Sequence, residues 1–194
     1  MQIVHDLKNQ LNGLKLYATF LRKRMEKAER PADEQETLAK LISGLERAAA
    51  DMTVLVRFGR ALELRRQPGT DLARLLRDSA DGAQVETDGG PFEGDFDPVL
   101  LAEALKNITA GACSESGAAS DSGGASRVRL SGDGSGAVVE WQGAAAVADG
   151  EDPFRSLAGA AGLRMALAAK IVRAHGGEVS SEGGRIRARL PLQK

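Results

Sequence analysis

The sequence has 194 residues, of which 42% are hydrophobic and 27% are charged, proportions typical of a soluble globular protein. The net charge of −1 argues against a dedicated nucleic-acid-binding protein, and no apolar run is long enough to predict a membrane span. The single cysteine, Cys113, excludes an internal disulfide framework and favours a reducing, cytoplasmic setting.

The charges are distributed unevenly along the chain. Residues 1–66 contain 13 Lys and Arg against 9 Asp and Glu, whereas the remainder contains 13 basic and 18 acidic residues. A basic N-terminal segment suits an acidic protein partner.

The N-terminal segment has the pattern of two long amphipathic helices. Apolar residues of the first helix recur at intervals of three and four, at Val4, Leu7, Leu11, Leu14, Ala18, Leu21 and Met25. Pro31 ends this helix, and Asp33 can cap the next one. The second helix carries a similar row at Leu38, Leu41, Leu45, Ala48, Met52, Leu55 and Leu62. Because one hairpin cannot bury both rows, we expect two copies to form a dimeric four-helix bundle.

The segment "RRQPGTD" separates this hairpin from a glycine-rich region, so we predict domains at 1–66 and 67–194. The pattern of the second region predicts helices at 70–79, 97–112 and 160–175, and strands at 83–88, 126–132, 137–142, 178–182 and 185–192. The segment "CSESGAASDSGGAS" is predicted to be a flexible loop. We expect Gly176-Gly177 to end the last helix and Gly183-Gly184 to form the turn between the last strands. The predicted fold class is an antiparallel helical hairpin followed by an α/β sandwich, with a mixed sheet covered by helices on one face.

Three segments, in this order, resemble the core of bacterial histidine kinases. "HDLKNQL" is similar to the phosphoacceptor box of the dimerisation and histidine-phosphotransfer domain. "DPVLLAEALKNITAGA" resembles the asparagine box of the ATP-binding domain shared by gyrase, chaperones and histidine kinases. "GLRMALAAKIVRAHGGEV" resembles the glycine-rich helix start and the helix–HGG–strand segment that follow. The resemblance implies an ATPase-like second domain.

The resemblance also implies which positions would hold ATP and magnesium, and several of them depart from the family pattern. Asn107 matches the first asparagine of its box, but Gly111 stands where a second asparagine would help to hold magnesium. Trp141 replaces the aspartate that reads adenine, although Gly143 of the same box is kept. Arg164 replaces a glycine that lets the backbone approach the phosphates. We therefore expect no bound nucleotide, no metal site and no cofactor in this chain, and we expect Trp141 and Arg164 to fill the vacated pocket.

Residues His5, Asp6 and Asn9 form the candidate catalytic segment. The resemblance implies that His5 accepts a phosphoryl group, and a neutral imidazole is a competent nucleophile near pH 7. Asp6 could orient the imidazole ring, or it could be an ordinary acid on the helix surface. Asn9 lies one turn further along and could orient a water molecule for dephosphorylation, or it could be a polar surface residue. His175 is expected to serve a structural role at the end of the last helix.

The expected function is that of a dimeric histidine phosphotransferase built on a degenerate kinase core, similar to the bacterial cell-cycle and sporulation phosphotransferases. Such a protein would relay a phosphoryl group between aspartates of response-regulator receiver domains, which supply the magnesium. One alternative is a sensor kinase core that phosphorylates His5 from ATP. Another is a pseudokinase scaffold that binds a response regulator without transfer.

Overall fold

A computed structural model describes residues 2–27, 32–80, 82–113, 127–134, 136–142, 152–157 and 159–192. The helices of these residues are α1 (Gln2–Lys27), α2 (Ala32–Gly59), α3 (Leu72–Ser79), α4 (Pro98–Cys113) and α5 (Gly159–Ala174). The strands are β1 (Gln67–Asp71), β2 (Gln84–Asp88), β3 (Glu93–Phe96), β4 (Arg127–Asp133), β5 (Gly136–Gln142), β6 (Glu178–Glu182) and β7 (Arg185–Pro191). The contacts divide the chain into two units, Met1–Arg60 and Ala61–Lys194.

The first unit is the predicted helical hairpin, with α1 packed against α2. Its buried apolar cluster is small and consists of Ala18, Leu38 and Ile42, with Met25 and Leu45 partly buried around it. Exposed large apolar side chains remain at Leu7, Leu14, Leu16, Tyr17, Phe20, Leu21 and Leu41. The single hairpin thus leaves much of its predicted apolar row facing outwards, including Leu14 at 54% exposure.

The predicted row of the second helix omits one buried residue. Ile42 lies inside the hairpin at 6% exposure, whereas Leu41, which the row includes, is 54% exposed in the single hairpin. The contact inside the hairpin therefore follows Leu38, Ile42 and Leu45. Asp33 lies within the first turn of α2 and does not precede the helix as a cap.

The second unit is built on a mixed five-stranded sheet in the order β2-β4-β5-β7-β6. Only the β2–β4 pair is parallel among these neighbouring strands; the others are antiparallel. Side chains alternate between the two faces, because successive residues of a strand point in opposite directions. The buried face includes Val128 and Leu130 of β4 and Ile186 of β7.

The helix α4 packs against both α3 and α5, and these helices contact strands β2, β5 and β6. Residues on the sheet face away from this apolar core form ion pairs between strands. Arginines of β4 and β7 pair there with acids of β2, β4 and β5, in the pairs Arg129–Asp88, Arg187–Glu140 and Arg189–Asp133. The prediction of a mixed sheet with helices on one face is confirmed.

The two glycine pairs near the end of the chain have the predicted roles. The helix α5 ends where Gly176 adopts a φ of 79° and the Gly177 N–H donates to the carbonyl of Val172 at 3.0 Å. Gly183 and Gly184 both have positive φ, as a tight hairpin between β6 and β7 requires.

A second, two-stranded antiparallel sheet pairs β1 with β3, and the sequence pattern did not predict it. Both strands are short and contain glycine, so they lack the alternating apolar pattern of a strand.

Most of the predicted loop "CSESGAASDSGGAS" lies outside the described residues. Among the described helices, none is long and apolar enough to cross a membrane.

Candidate functional site

The predicted phosphoacceptor segment lies near the start of α1. The backbone of His5 and Asp6 is helical, and their side chains lie outside the described part of the structure. Asn9, one turn after His5, has an exposed side chain. The helix therefore presents Asn9 on the same side as His5, as the i and i+4 spacing requires.

Two large apolar residues follow on this side of α1. Leu16 and Phe20 come about three and about four helical turns after His5, close to the same angular position. They are 56% and 58% exposed. The face of α1 that carries His5 is therefore partly apolar at its far end.

In the second unit, Trp141 of β5 is part of the core. It is 1% exposed, and its indole Nε1–H donates to Thr109 Oγ1 of α4 at 2.9 Å. The Thr109 hydroxyl in turn donates to the carbonyl of Leu105 at 2.9 Å. The position that the resemblance assigns to an adenine-reading carboxylate is thus an indole held between the sheet and α4.

Gly111 lies on a different side of α4 and contacts α5. A Cβ added at Gly111 would lie 2.5 Å from the sulfur of Met165, which is 3% exposed. An asparagine could enter this position only if the Met165 side chain moved away. The space next to Gly111 is therefore occupied by the thioether, which is a poor ligand for magnesium.

The prediction that Arg164 fills the nucleotide pocket implied by the resemblance is wrong. Its side chain is exposed, and the neighbouring Met165 points into the protein instead. Consecutive residues of a helix point about 100° apart, so only one of the two can face α4. Asn107 is half-buried one turn before Gly111. Gly143 lies outside the described residues.

Sequence reasoning overlooked Thr109 and Met165. Thr109 is a β-branched residue inside a predicted helix, and Met165 follows an arginine in the second turn of another helix. No local pattern reveals that either residue meets Trp141 or Gly111. Their roles depend on contacts between elements that are distant in sequence.

His175 is buried and bridges two elements, as the structural prediction requires. It is 1% exposed, and its Nε2 accepts a hydrogen bond from the backbone N–H of Asp97 at 3.0 Å. Its Nδ1 lies 2.8 Å from the carbonyl oxygen of Ile171. Since Nε2 accepts, the proton is on Nδ1 and the ring is neutral. Burial lowers the pKa of His175 below its usual value, against the raising effect of the Ile171 hydrogen bond.

The described residues do not fit a magnesium-bound nucleotide in the manner that the resemblance implies. Trp141 offers no carboxylate, Gly111 offers no side-chain oxygen, and Met165 occupies the adjoining space. In the described ranges, no cluster of three or more His, Cys, Asp or Glu residues could hold a metal ion.

No protein-family model matches this sequence, and no curated protein sequence matches it either. Solved structures do match. The structure of full-length ShkA in complex with AMPPNP has a TM-score of 0.69 and 20% identity, over 100% of this chain and 45% of the ShkA chain. The histidine kinase ThkA in complex with the response regulator TrrA has a TM-score of 0.64 and 14% identity, over 99% of this chain and 61% of that chain.

The histidine kinase AdeS of Acinetobacter baumannii has a TM-score of 0.57 and 15% identity, over 98% of both chains. At such low sequence identity, the structural similarity establishes the fold and no more. The chain has the fold of a two-component histidine kinase core, with a helical hairpin followed by an α/β domain of the ATPase type. It spans less than two thirds of the ShkA and ThkA chains.

Proposed function

We propose that this chain is a histidine phosphotransferase, which relays a phosphoryl group through His5 between aspartates of receiver domains without binding ATP. The observation that carries the proposal is the burial of Trp141 against Thr109, at the position to which the resemblance assigns an adenine-reading carboxylate. The proposal assigns phosphotransfer to residues 1–66 and a non-catalytic ATPase-like domain to residues 67–194, in a cytoplasmic protein.

The transfer step needs little from this chain beyond one nucleophile. A neutral nitrogen of His5 attacks the phosphorus of a receiver's aspartyl phosphate, so that a P–N bond forms while the P–O bond to the aspartate breaks. The released carboxylate stays on the receiver, and the reverse step passes the group to a second receiver. The receiver supplies the magnesium that neutralises the phosphoryl oxygens, so no metal site is required here.

The exposed face of α1 supports docking of such a receiver. Leu16 and Phe20 lie on the side of His5, and Lys23 extends the same face with a positive charge. A receiver domain with an acidic site beside an apolar patch would complement this surface.

The exposed apolar row of the hairpin supports a homodimer. Leu7, Leu14 and Leu21 are 41%, 54% and 52% exposed in the single chain. Their heptad spacing is that of residues which pack into the core of a four-helix bundle. A second copy of the hairpin would bury this row.

The second candidate is a sensor kinase core that phosphorylates His5 from ATP. The comparisons favour this candidate over the phosphotransferase, because ThkA and AdeS are histidine kinases and ShkA is solved with AMPPNP. A pseudokinase scaffold that binds a response regulator without transfer is the remaining alternative.

One experiment separates the three. The chain is incubated with labelled Mg-ATP and, separately, with receiver domains of the same organism that have been phosphorylated by labelled acetyl phosphate. Label from receivers alone supports the phosphotransferase, and label from ATP overturns it in favour of the kinase. Receiver binding without label on this chain from either source establishes the scaffold.

The variants His5→Ala and Asn9→Ala test the roles of the two residues. His5→Ala should abolish labelling, because it removes the nucleophile. Asn9→Ala should retain transfer but lose any release of free phosphate from the receiver, since only the attack of water needs an orienting amide. Both label on the chain and free phosphate are followed over time. If Asn9→Ala releases phosphate as fast as the native protein, Asn9 has no role in dephosphorylation.

A further inference from the structure

Residues 61–66, here called the strap, precede β1 at the start of the second unit and are hydrogen-bonded to the rest of that unit. The backbone N–H of Arg65 donates to Asp97 Oδ2 at 2.8 Å. The Arg66 guanidinium donates to the carbonyl of Ala174 at 3.1 Å, and lies 3.9 Å from Asp95 Oδ2. Because the arginine contacts are solvent-exposed, they contribute little, and the bond to the buried Asp97 is the stronger of these polar contacts.

Asp97 has three structural roles at once. Its Oδ1 accepts hydrogen bonds from the backbone N–H groups of Val99 and Leu100, both at 3.0 Å, and so caps α4. Its Oδ2 accepts from the strap. Its own backbone N–H donates to His175 Nε2, and Asp97 is only 5% exposed. The position of the strap's main acceptor therefore depends on the imidazole.

The imidazole of His175 is fixed from several sides. Its Nδ1–H donates to Ile171 of the preceding helical turn, and Phe96 contacts the ring edge-on at 6.0 Å between centroids. A rotation of the ring would break both hydrogen bonds of its nitrogens. A change at Nε2 therefore acts directly on Asp97.

We propose that Asp97 and His175 form an acid-sensitive latch, which holds the strap on the rest of the second unit and releases it when the imidazole takes up a proton. A proton on Nε2 would place two N–H donors face to face across the present 3.0 Å contact. Two donors repel each other, so the Asp97 peptide has to move. Movement of Asp97 then breaks the bond to Arg65.

The charges around the ring come from three elements. Among the described residues these are Arg66 of the strap, Asp95 of β3, and Asp97 before α4. Burial lowers the pKa of His175 and Arg66 lowers it too, while the Ile171 hydrogen bond and the two aspartates raise it. The net effect lowers the pKa, so the closed latch holds the neutral ring near pH 7.

The sign of the pH dependence follows from this shift. An imidazole freed from the latch has a pKa of about 6.5, above that of the closed form. The open form therefore binds more protons, and its population rises as the pH falls below about 6.5. The latch is independent of the proposed phosphotransfer, because no residue of α1 takes part in it.

Amide hydrogen exchange of the full chain tests the latch at about pH 7.5 and about pH 5.5, on either side of the free imidazole's pKa. After correction for intrinsic exchange, protection of the Arg65 and Asp97 amides should fall with acidification, by up to about tenfold for each pH unit below 6.5. Protection of the Val139 amide, in the central strand β5, should stay unchanged.

The variant His175→Gln is the informative one, since the glutamine oxygen can accept from Asp97 but cannot titrate. Its Arg65 amide should remain equally protected at both pH values, whereas His5→Gln, which alters the other histidine, should respond as the native protein does. Acid-insensitive protection in the native protein overturns the proposal, and so does an unchanged acid response in His175→Gln.

A second measurement serves if His175→Gln does not fold. The ring nitrogens of His175 in the native protein are titrated by NMR. Protonation of Nε2 should follow the same pH curve as the loss of Arg65 protection. Two separate curves would show that another group controls the strap.

Discussion

At the scale of single residues, the hydroxyl of Thr109 is a central polar group in the core of the second unit. It accepts from the Trp141 indole and donates to the Leu105 carbonyl, both at 2.9 Å. Thr109 is 3% exposed, so water cannot replace either partner. The hydroxyl therefore allows a large aromatic residue with a polar N–H to be buried without an unsatisfied donor.

Replacing Thr109 by valine should destabilise the second unit by about 1–3 kcal/mol, because the buried indole N–H loses its acceptor. Thr109→Ser, which keeps the hydroxyl, is the matched control and should cost less. Trp141 is the only tryptophan of the chain, so its fluorescence reports unfolding in denaturant. Equal stability of the two variants would show that the hydrogen bond contributes nothing.

At the scale of elements, the end of α5 and the strand β7 approach each other closely at Gly177. A Cβ at this position would overlap the backbone oxygen of Arg189 and lie 2.9 Å from a methyl carbon of Val172. The helix α5 must end here because the chain turns directly into β6, next to the backbone carbonyl of Arg189 in β7. Glycine is needed at Gly177 for space, whereas Gly176 is needed for its positive φ.

The variant Gly177→Ala should lower the free energy of unfolding of the second unit by about 1–3 kcal/mol through overpacking against backbone. Gly132→Ala is the control, because a Cβ at Gly132 meets nothing within 4 Å. Thermal unfolding followed by circular dichroism compares the two. A loss in Gly132→Ala as large as that in Gly177→Ala would refute the steric explanation.

At the scale of the whole molecule, the two units differ in how much apolar surface they bury. The second unit encloses many large side chains completely, among them Phe96, Leu101, Leu105 and Ile171. Among the described residues, the first unit buries only Ala18, Leu38 and Ile42 and leaves four leucines of its predicted rows exposed, at Leu7, Leu14, Leu21 and Leu41. A hairpin of this kind gains stability when a partner covers the row.

We expect Leu14→Asp to weaken the proposed dimer by about a hundredfold or more, since each protomer would bury an unpaired charge. Val99→Asp is the matched control, because Val99 is 75% exposed in the second unit and outside the row. Light scattering over a range of concentrations measures the mass of each variant. A monomeric mass for the native chain would refute the dimer.

Much of the fold could be predicted from local patterns. The periodicity of α1, α2, α4 and α5 and the glycine pairs after α5 and between β6 and β7 require nothing beyond neighbouring residues. The strands β1 and β3 could not be predicted, because each contains glycine and is stabilised by pairing with the other. Ile42 was missed for a related reason: the face of α2 that turns inwards is chosen by α1.

The sequence by itself determined the two-part organisation, the helices and most strands, and the resemblance implied that Trp141 and Gly111 stand in place of a carboxylate and an amide. Only the tertiary structure decided what those replacements do. Trp141 and Thr109 are 32 residues apart, and Asp97 and His175 are 78 apart. A hydrogen bond between such distant residues depends on how strands and helices pack, since no local backbone preference encodes which distant side chain will supply the partner.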